Sequence, residues 1–476
     1  MMKTGKLLAI LFFLTSGVVA KNIQVKNASE LNKAIGSAVA GDAILMQPGE
    51  WKDVKILFNS KASKAKPITL KADQAGKVML SGESSLSFDA PYLVVEGLLF
   101  KDGSLKKGSV IQFNSDYCKL ENTAIVDFNP SQKSTGYYWV LFRGNNNLMQ
   151  YCSFKGKNNM QPLVGNDQDN SRYNTVQYCY FKDIPYTPDN GREIFRIWGY
   201  GRSEETGDDG AFFTIKNNLF ERAHGEGMEI ISLKSNRNKV IGNTVISTKG
   251  GIVGRSGNFN TIEENFIFGE NEKGSYGIRL AGQGHHVVNN YVRDVDGDGL
   301  ILICGEYIEK ALTDKYEPIL RAGTPLGRVP RYGHVKDGLY VNNTFLNVGG
   351  AGINIGGSYN GNPGADQRML LPENNTITHN IISTKSGKNA IQATSPSQNP
   401  ILANFKFKSN ILGSNLVYDN GAEPDSGVKE TPITINGKEY KIPFASKKDT
   451  LITSKPGVRI KNKPLSSKEV GVKWSI

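Results

Sequence analysis

One motif recurs along this chain and limits what it can become: an apolar residue, a turn, an asparagine, and a further short apolar run. It appears as Lys216-Asn217-Asn218-Leu219-Phe220, Ile241-Gly242-Asn243-Thr244-Val245 and Glu264-Asn265-Phe266-Ile267-Phe268. It returns as Val288-Asn289-Asn290-Tyr291-Val292, Val341-Asn342-Asn343-Thr344-Phe345 and His379-Asn380-Ile381-Ile382, with Asn122 and Asn410 in similar contexts. Successive asparagines are separated by 243 − 218 = 25, 265 − 243 = 22 and 290 − 265 = 25 residues. A period of this length marks a solenoid, in which each repeat buries its apolar face only by stacking on the next. Short alternating segments between turns, with no helical stretch between them, select a parallel β-helix over helical repeats.

Asparagine suits such a turn because it tolerates left-handed backbone and its amide can bond main-chain groups of the neighbouring coil. Stacked coil on coil, the amides would form a ladder that satisfies buried turn peptides. Cys152 and Cys179 fall in the asparagine slot of Tyr151-Cys152-Ser153-Phe154 and Tyr178-Cys179-Tyr180-Phe181. They read as small stacked core residues rather than reactive thiols, with a disulfide between them as the less favoured alternative. Cys118 and Cys304 have no readable role.

A solenoid needs covered ends. Asn27 to Ile35 reads as a short amphipathic helix that plugs the N-terminal end, followed by a first strand and turn across Ala40 to Gly49. Residues 21–415 form the predicted β-helix, and 416–476 an irregular C-terminal cap. The stretch from Glu306 to Gly333, rich in Arg, Gly and Pro, reads as a loop over one face. Residues 1–20 have the pattern of a secretory signal: Lys3 and Lys6, an apolar run from Leu7, and small residues before Lys21. The expected location is therefore secreted or periplasmic. No later stretch is long enough to span a membrane. The 57 Lys and Arg outnumber the 45 Asp and Glu, a formal charge of +12. A basic exported protein favours an anionic polysaccharide as partner over nucleic acid.

The chemistry concentrates between Asn190 and Arg279. Gly225-Glu226-Gly227-Met228-Glu229-Ile230-Ile231-Ser232-Leu233-Lys234 crowds two carboxylates and a lysine onto one strand. Arg255 follows Lys234 by 255 − 234 = 21 residues and Arg279 follows Arg255 by 279 − 255 = 24, both near one coil. The spacing predicts a vertical stripe of Lys234, Arg255 and Arg279, a seat for an anionic chain; a solvated charged face is the plainer alternative.

The chain resembles polysaccharide lyase family six, which contains chondroitinase B and alginate lyases. The likeness covers most of the mature chain. It runs through Gly41-Asp42-Ala43-Ile44, Pro48-Gly49-Glu50-Trp51-Lys52-Asp53-Val54 and Lys66-Pro67-Ile68-Thr69-Leu70-Lys71-Ala72. It continues in Leu93 to Gly103, and is most specific in Glu229-Ile230-Ile231-Ser232-Leu233-Lys234-Ser235 with Gly242-Asn243-Thr244 and Arg255. The resemblance implies a right-handed parallel β-helix and β-elimination on a uronate polysaccharide, with alginate as the first expectation. It implies Lys234 as general base, Arg255 as catalytic arginine and Arg279 as a substrate-binding arginine. Asn190, Glu226 and Glu229 fall where the family binds calcium.

Two departures stand out. The family's acidic pair is spaced E-x-E, whereas here Glu226 and Glu229 are separated by Gly227-Met228. Glu226 can join the site only through a local bulge. The histidine that often follows the catalytic arginine is Ser256 here. A dermatan-sulfate or chondroitin lyase, with Arg321, Arg328 and Arg331 serving the sulfates, remains an alternative, as does a non-catalytic glycan-binding β-helix. Asp294, Asp296 and Asp298 read as turn formers rather than a hydrolase cluster. His285 and His286 read as structural; His224 stays open.

Overall fold

The computed structural model of the chain describes residues 20–166, 171–199, 210–306, 332–362, 367–395, 408–418, 430–435, 437–443, 456–457 and 463–476. Residues 1–19 of the leader expected at 1–20, and Arg321, Arg328 and Arg331, lie outside the described residues.

Three long sheets of 14, 12 and 13 strands run the length of the molecule. Each coil contributes one strand to each sheet in turn, and every pairing within the three sheets is parallel, as in Leu120 with Val95 and Met149. The result is a parallel β-helix. Alternation along each strand places one set of side chains inside the coil. Like residues therefore stack on like: Phe88, Phe113 and Phe142 with centroids 4.6 and 4.5 Å apart, and Phe154, Phe181 and Phe220 at 5.1 and 4.9 Å.

The asparagine ladder is continuous through the C-terminal half. Asn218 donates its amide to Asn243 (3.0 Å), Asn243 to Asn265 (3.0 Å), Asn265 to Asn290 (3.0 Å) and Asn290 to Asn343 (3.0 Å). Asn343 then donates to Asn380 (3.1 Å), and Asn380 to Asn415 (3.0 Å). Each Oδ1 also accepts the backbone N–H of the asparagine one coil earlier. The left-handed residue is not the ladder asparagine but the one before it, as at Asn217, Glu264, Asn289 and Asn342, with φ between 54° and 57°. Asn122 sits at this left-handed position (φ 46°), and Thr123 occupies the ladder slot, its hydroxyl accepting from Leu98. Asn410 belongs to another turn, where Asn375 donates to it at 2.9 Å. Cys152 and Cys179 are buried and free, and the Cys179 N–H donates to Asn218, so they continue the slot downward.

The plug helix spans Ala28–Ser37. Asn27 caps it by accepting from Glu30 N–H, and the Glu30 carboxylate answers by accepting from Lys26 N–H. This reciprocal cap fixes the helix start, and Leu31, Ala34 and Ile35 face the core. At the other end, Leu416–Tyr418 is the last strand of the 13-stranded sheet, followed by the antiparallel hairpin Glu430–Ile435 with Lys438–Pro443. Residues 463–476 then run back along the outside of that sheet. Leu465 N–H donates to Thr244, Val472 N–H to Ser153 and the Trp474 indole to the Asn122 carbonyl. The described part of the C-terminal segment is thus a strap along the outside of the coils. No helix among the described residues is long and apolar enough to cross a membrane.

Candidate functional site

The 12-stranded sheet carries the site on its outer face. Its neighbouring strands Phe195–Trp198, Glu229–Lys234, Gly250–Gly254 and Ser275–Leu280 supply the charged residues. Register pairs Trp198 with Lys234, and Leu233 with Gly254, so Arg255 follows directly above Lys234. Arg279 breaks the expected vertical stripe: it pairs with Val253, two residues short of Arg255. A register shift between Gly250 and Ile252 lengthens the pairing interval from 275 − 250 = 25 to 278 − 252 = 26 residues, so the 24 residues from Arg255 to Arg279 fall two short of one coil.

Two carboxylates tie the cations together. Lys234 Nζ lies 3.0 Å from Glu193 Oε1, and 5.0 Å from the centre of the Trp198 ring. Arg279 Nη2 lies 3.0 Å and Arg255 Nη1 3.5 Å from the same oxygen of Glu229. Arg196 Nη1 stands 3.6 Å from Glu193 Oε2 while its other nitrogen donates to Tyr138 and Gln161. The charges are therefore largely matched within the site. Burial alone would weaken the Arg279 charge, but Tyr276 and Glu229 hold its pKa above the usual value.

Glu226 does reach the site. Gly225 (φ 54°) and Gly227 (φ 76°) flank it in left-handed backbone and turn the chain so that its carboxylate points inward. Gly191 N–H donates to it at 2.7 Å, and Arg192 N–H at 3.3 Å. Burial, then the nearby Glu193, pushes the Glu226 carboxyl above its ordinary pKa, with Glu229 adding to the rise against the backbone donors.

Glu193, Glu226 and Glu229 are all buried, and one carboxylate oxygen of each lies within 4.8 Å of the others. Glu193 Oε2 and Glu229 Oε2 are buried without a hydrogen-bond partner. Like charges so placed, with lone pairs left over, fit an oxygen-seeking divalent cation, which takes six to eight oxygens. Asn190 is exposed beside Gly191, at the rim. The third carboxylate of the cluster is Glu193, which the sequence reading missed. The signal was there: Glu193-Ile194-Phe195-Arg196-Ile197-Trp198 repeats the pattern of Glu229-Ile230-Ile231-Ser232-Leu233-Lys234 at an offset of 229 − 193 = 36.

Tyr332 was also missed. Its ring lies between two guanidiniums, 5.5 Å from Arg255 and 5.2 Å from Arg368. Its carbonyl accepts from Glu306 N–H, which pins the returning end of the long insertion over the site. Tyr276, from below, donates its hydroxyl to the Met228 carbonyl and packs against Arg279.

The remaining candidates are structural. His285 is buried between Ala281 O (2.8 Å) and Asn260 N–H (3.2 Å), and burial lowers its pKa to about 4. His286 is exposed on a strand of another sheet. His224 accepts from Lys249 N–H, its pKa lowered by burial. Asp294, Asp296 and Asp298 serve turns: Asp298 accepts from Ala351 N–H and Asp296 from Gly274 N–H.

Comparison with known proteins gives the family. A sequence model described as chondroitinase B matches residues 25–453. A PL6 family polysaccharide lyase from Pseudopedobacter saltans is 94% identical over 95% of this chain and 100% of its own, with a TM-score of 0.86. The PL6 family alginate lyase AlyGC is 27% identical over 96% of this chain, with a TM-score of 0.74; this chain spans 59% of its length. A mannuronic acid specific family 6 lyase from human gut microbiota is 27% identical, covering 79% of this chain and 82% of its own (TM-score 0.66). No curated protein matches the chain.

Proposed function

The chain belongs to the chondroitinase B family of polysaccharide lyases, and from that premise we propose that it is exported and cleaves alginate by β-elimination, with Lys234 as base. The observation that carries this reading is the meeting of Lys234, Arg255 and Arg279 on one outer face, joined through Glu193 and Glu229. A uronate ring needs such a set. Its C5 proton is weakly acidic until the adjacent carboxylate is neutralised and the developing negative charge is held. In this reading Arg255 and Arg279 receive that carboxylate.

Lys234 serves as the base in its neutral amine form, its earlier proton having gone to bulk water, and its Nζ then accepts the C5 proton. The C5–H electron pair becomes the C4=C5 double bond as the C4–O4 bond breaks, and the leaving oxygen takes a proton from water. The product is a 4,5-unsaturated uronate at the new non-reducing end. The Trp198 ring lies beside the base and the Tyr332 ring beside Arg255. Glu193, Glu226 and Glu229, with Asn190 at the rim, would hold a calcium ion. When bound, the ion supplies positive charge beside the substrate carboxylate.

Alginate is favoured by the likeness to AlyGC and to the mannuronic acid specific lyase. One observation favours a second reading, a dermatan-sulfate or chondroitin lyase: Arg368, stacked across Tyr332 from Arg255, adds a cation suited to a sulfate. The test is to incubate the protein with mannuronate-rich and guluronate-rich alginate blocks and with dermatan sulfate, following absorbance of the unsaturated product. Product from alginate alone supports the first reading; product from dermatan sulfate alone replaces it with the second.

A further inference from the structure

Along the corner that follows the 12-stranded sheet, one residue per coil adopts left-handed backbone. On successive coils these are Tyr92, Tyr117, Asn146, Tyr173 and Phe212, with φ of 61°, 57°, 57°, 57° and 48°. Backbone bonds set the order of the rungs. Tyr92 N–H donates to Asp116 O, Tyr117 N–H to Asn145 O, Asn146 N–H to Arg172 O, and Tyr173 N–H to Ala211 O. Asparagine is an ordinary occupant of this conformation, whereas bulky aromatic residues are not. The turn geometry therefore does not account for the rings.

The rings stack in two separate pairs. Tyr92 and Tyr117 lie 5.2 Å apart at 11°, and Tyr173 and Phe212 lie 4.8 Å apart at 20°. Asn146 interrupts the row, and its side chain is short and exposed. Tyr117 and Tyr173, on either side, are 50% and 51% exposed. Two rungs separate them, about 9.6 Å at the usual strand spacing. That is the width of one flat ring held between two aromatic faces.

We propose that the notch between Tyr117 and Tyr173, floored by Asn146, is a second glycan-binding site that takes one uronate pyranose of the polysaccharide at a distance from the active site. This rests on the polyuronate reading of the active site. The aromatic faces carry negative quadrupole charge that suits the C–H faces of a pyranose. The Asn146 amide offers a donor and an acceptor to ring hydroxyls. Charge around the row is mixed: Arg143 is exposed on the same coil and Arg172 stands next to Tyr173, while Asp89 and Asp116 accept from Asn114 and from the Asn145 N–H at 2.7 and 2.7 Å. The row also leads to the catalytic coils. Beyond Phe212 it continues as Arg237, over Phe259 at 5.0 Å, and Arg237 follows Lys234 by three residues. Asn146 is three rungs from Arg237, about 14 Å along the stack, within reach of a polymer that also fills the active site.

The test uses the full chain in three forms: wild type, Tyr117→Ala with Tyr173→Ala, and Asn146→Tyr, which fills the notch with a ring. Binding is read as retardation in native gels containing alginate or dermatan sulfate, each form carrying Lys234→Ala so that the polymer stays intact. Turnover is read separately with Lys234 present. The expected result is a loss of retardation of about tenfold in both notch variants, the size of one lost stacking contact. KM for polymer should rise with it, while kcat/KM on a tetrasaccharide and the thermal midpoint of Asn146→Tyr stay unchanged. Unchanged retardation of folded Asn146→Tyr on both polymers overturns the proposal. Failure of the substrate reading shows itself differently, as no unsaturated product from either polymer with Lys234 in place.

Discussion

Lys234 and Glu193 form an ion pair at 3.0 Å across adjacent coils, with both side chains almost wholly buried. The pair fixes the position of the amine on the outer face of the sheet. Replacing Lys234 by Ala is expected to lower turnover by about 100- to 10,000-fold, the range for loss of a general base. The thermal midpoint should fall as well, since Glu193 is left buried with Arg196 as its remaining cation. Product formation by the variant at the wild-type rate would remove Lys234 as base.

Glu193→Gln keeps the size of the side chain but removes its charge. Turnover is then expected to change in its pH profile rather than merely in its height, because the charged partner of the amine is gone. A profile of kcat/KM superimposable on that of the wild type, after scaling, would argue against the pairing.

Calcium is expected to raise the thermal midpoint of the Lys234→Ala protein by about 2 °C or more, by binding the folded state alone. Glu226→Gln with Glu229→Gln should abolish that rise. This readout does not depend on activity. No shift in the Lys234→Ala protein at millimolar calcium would argue against the three carboxylates as a calcium site.

His285 predicts a pH dependence of stability. Its pKa falls from 6.5 to about 4 on folding. The folded state thus favours the neutral ring, and the unfolded state takes up the proton first as pH falls. The contribution is fully present above pH 6.5 and is lost as pH falls from 6.5 toward 4, in all about 3 kcal/mol. Urea unfolding at pH 7 and pH 4.5 should show this loss in the wild type, with a smaller loss in His285→Gln.

Asn265 sits in the middle of the ladder, accepting from Asn243 and donating to Asn290 and to Val240 O. Asn265→Ala leaves several buried polar groups unpaired, at a cost of about 1–3 kcal/mol each. Chemical denaturation should show a loss of at least that size. Asn122→Ala, outside the ladder, should lose less.

The sequence by itself determined the architecture, because a solenoid is written in one dimension. The asparagine period, the alternation between turns and the Asn27–Glu30 cap each depend on residues close in the chain or one coil apart. Lys234 and Arg255 were legible for the same reason, as they lie in adjacent strands separated by a loop of ordinary length. Tertiary structure decided what the chain count could not. Arg279 lies two residues off the vertical because a register shift takes up length. Glu226 enters only through two left-handed glycines. Glu193 meets Glu229 across an offset of 36 residues, and Tyr332 arrives from the far end of a long insertion. Those placements depend on how loops and bulges spend chain between coils, and a repeat constrains the coils while leaving the chain between them free.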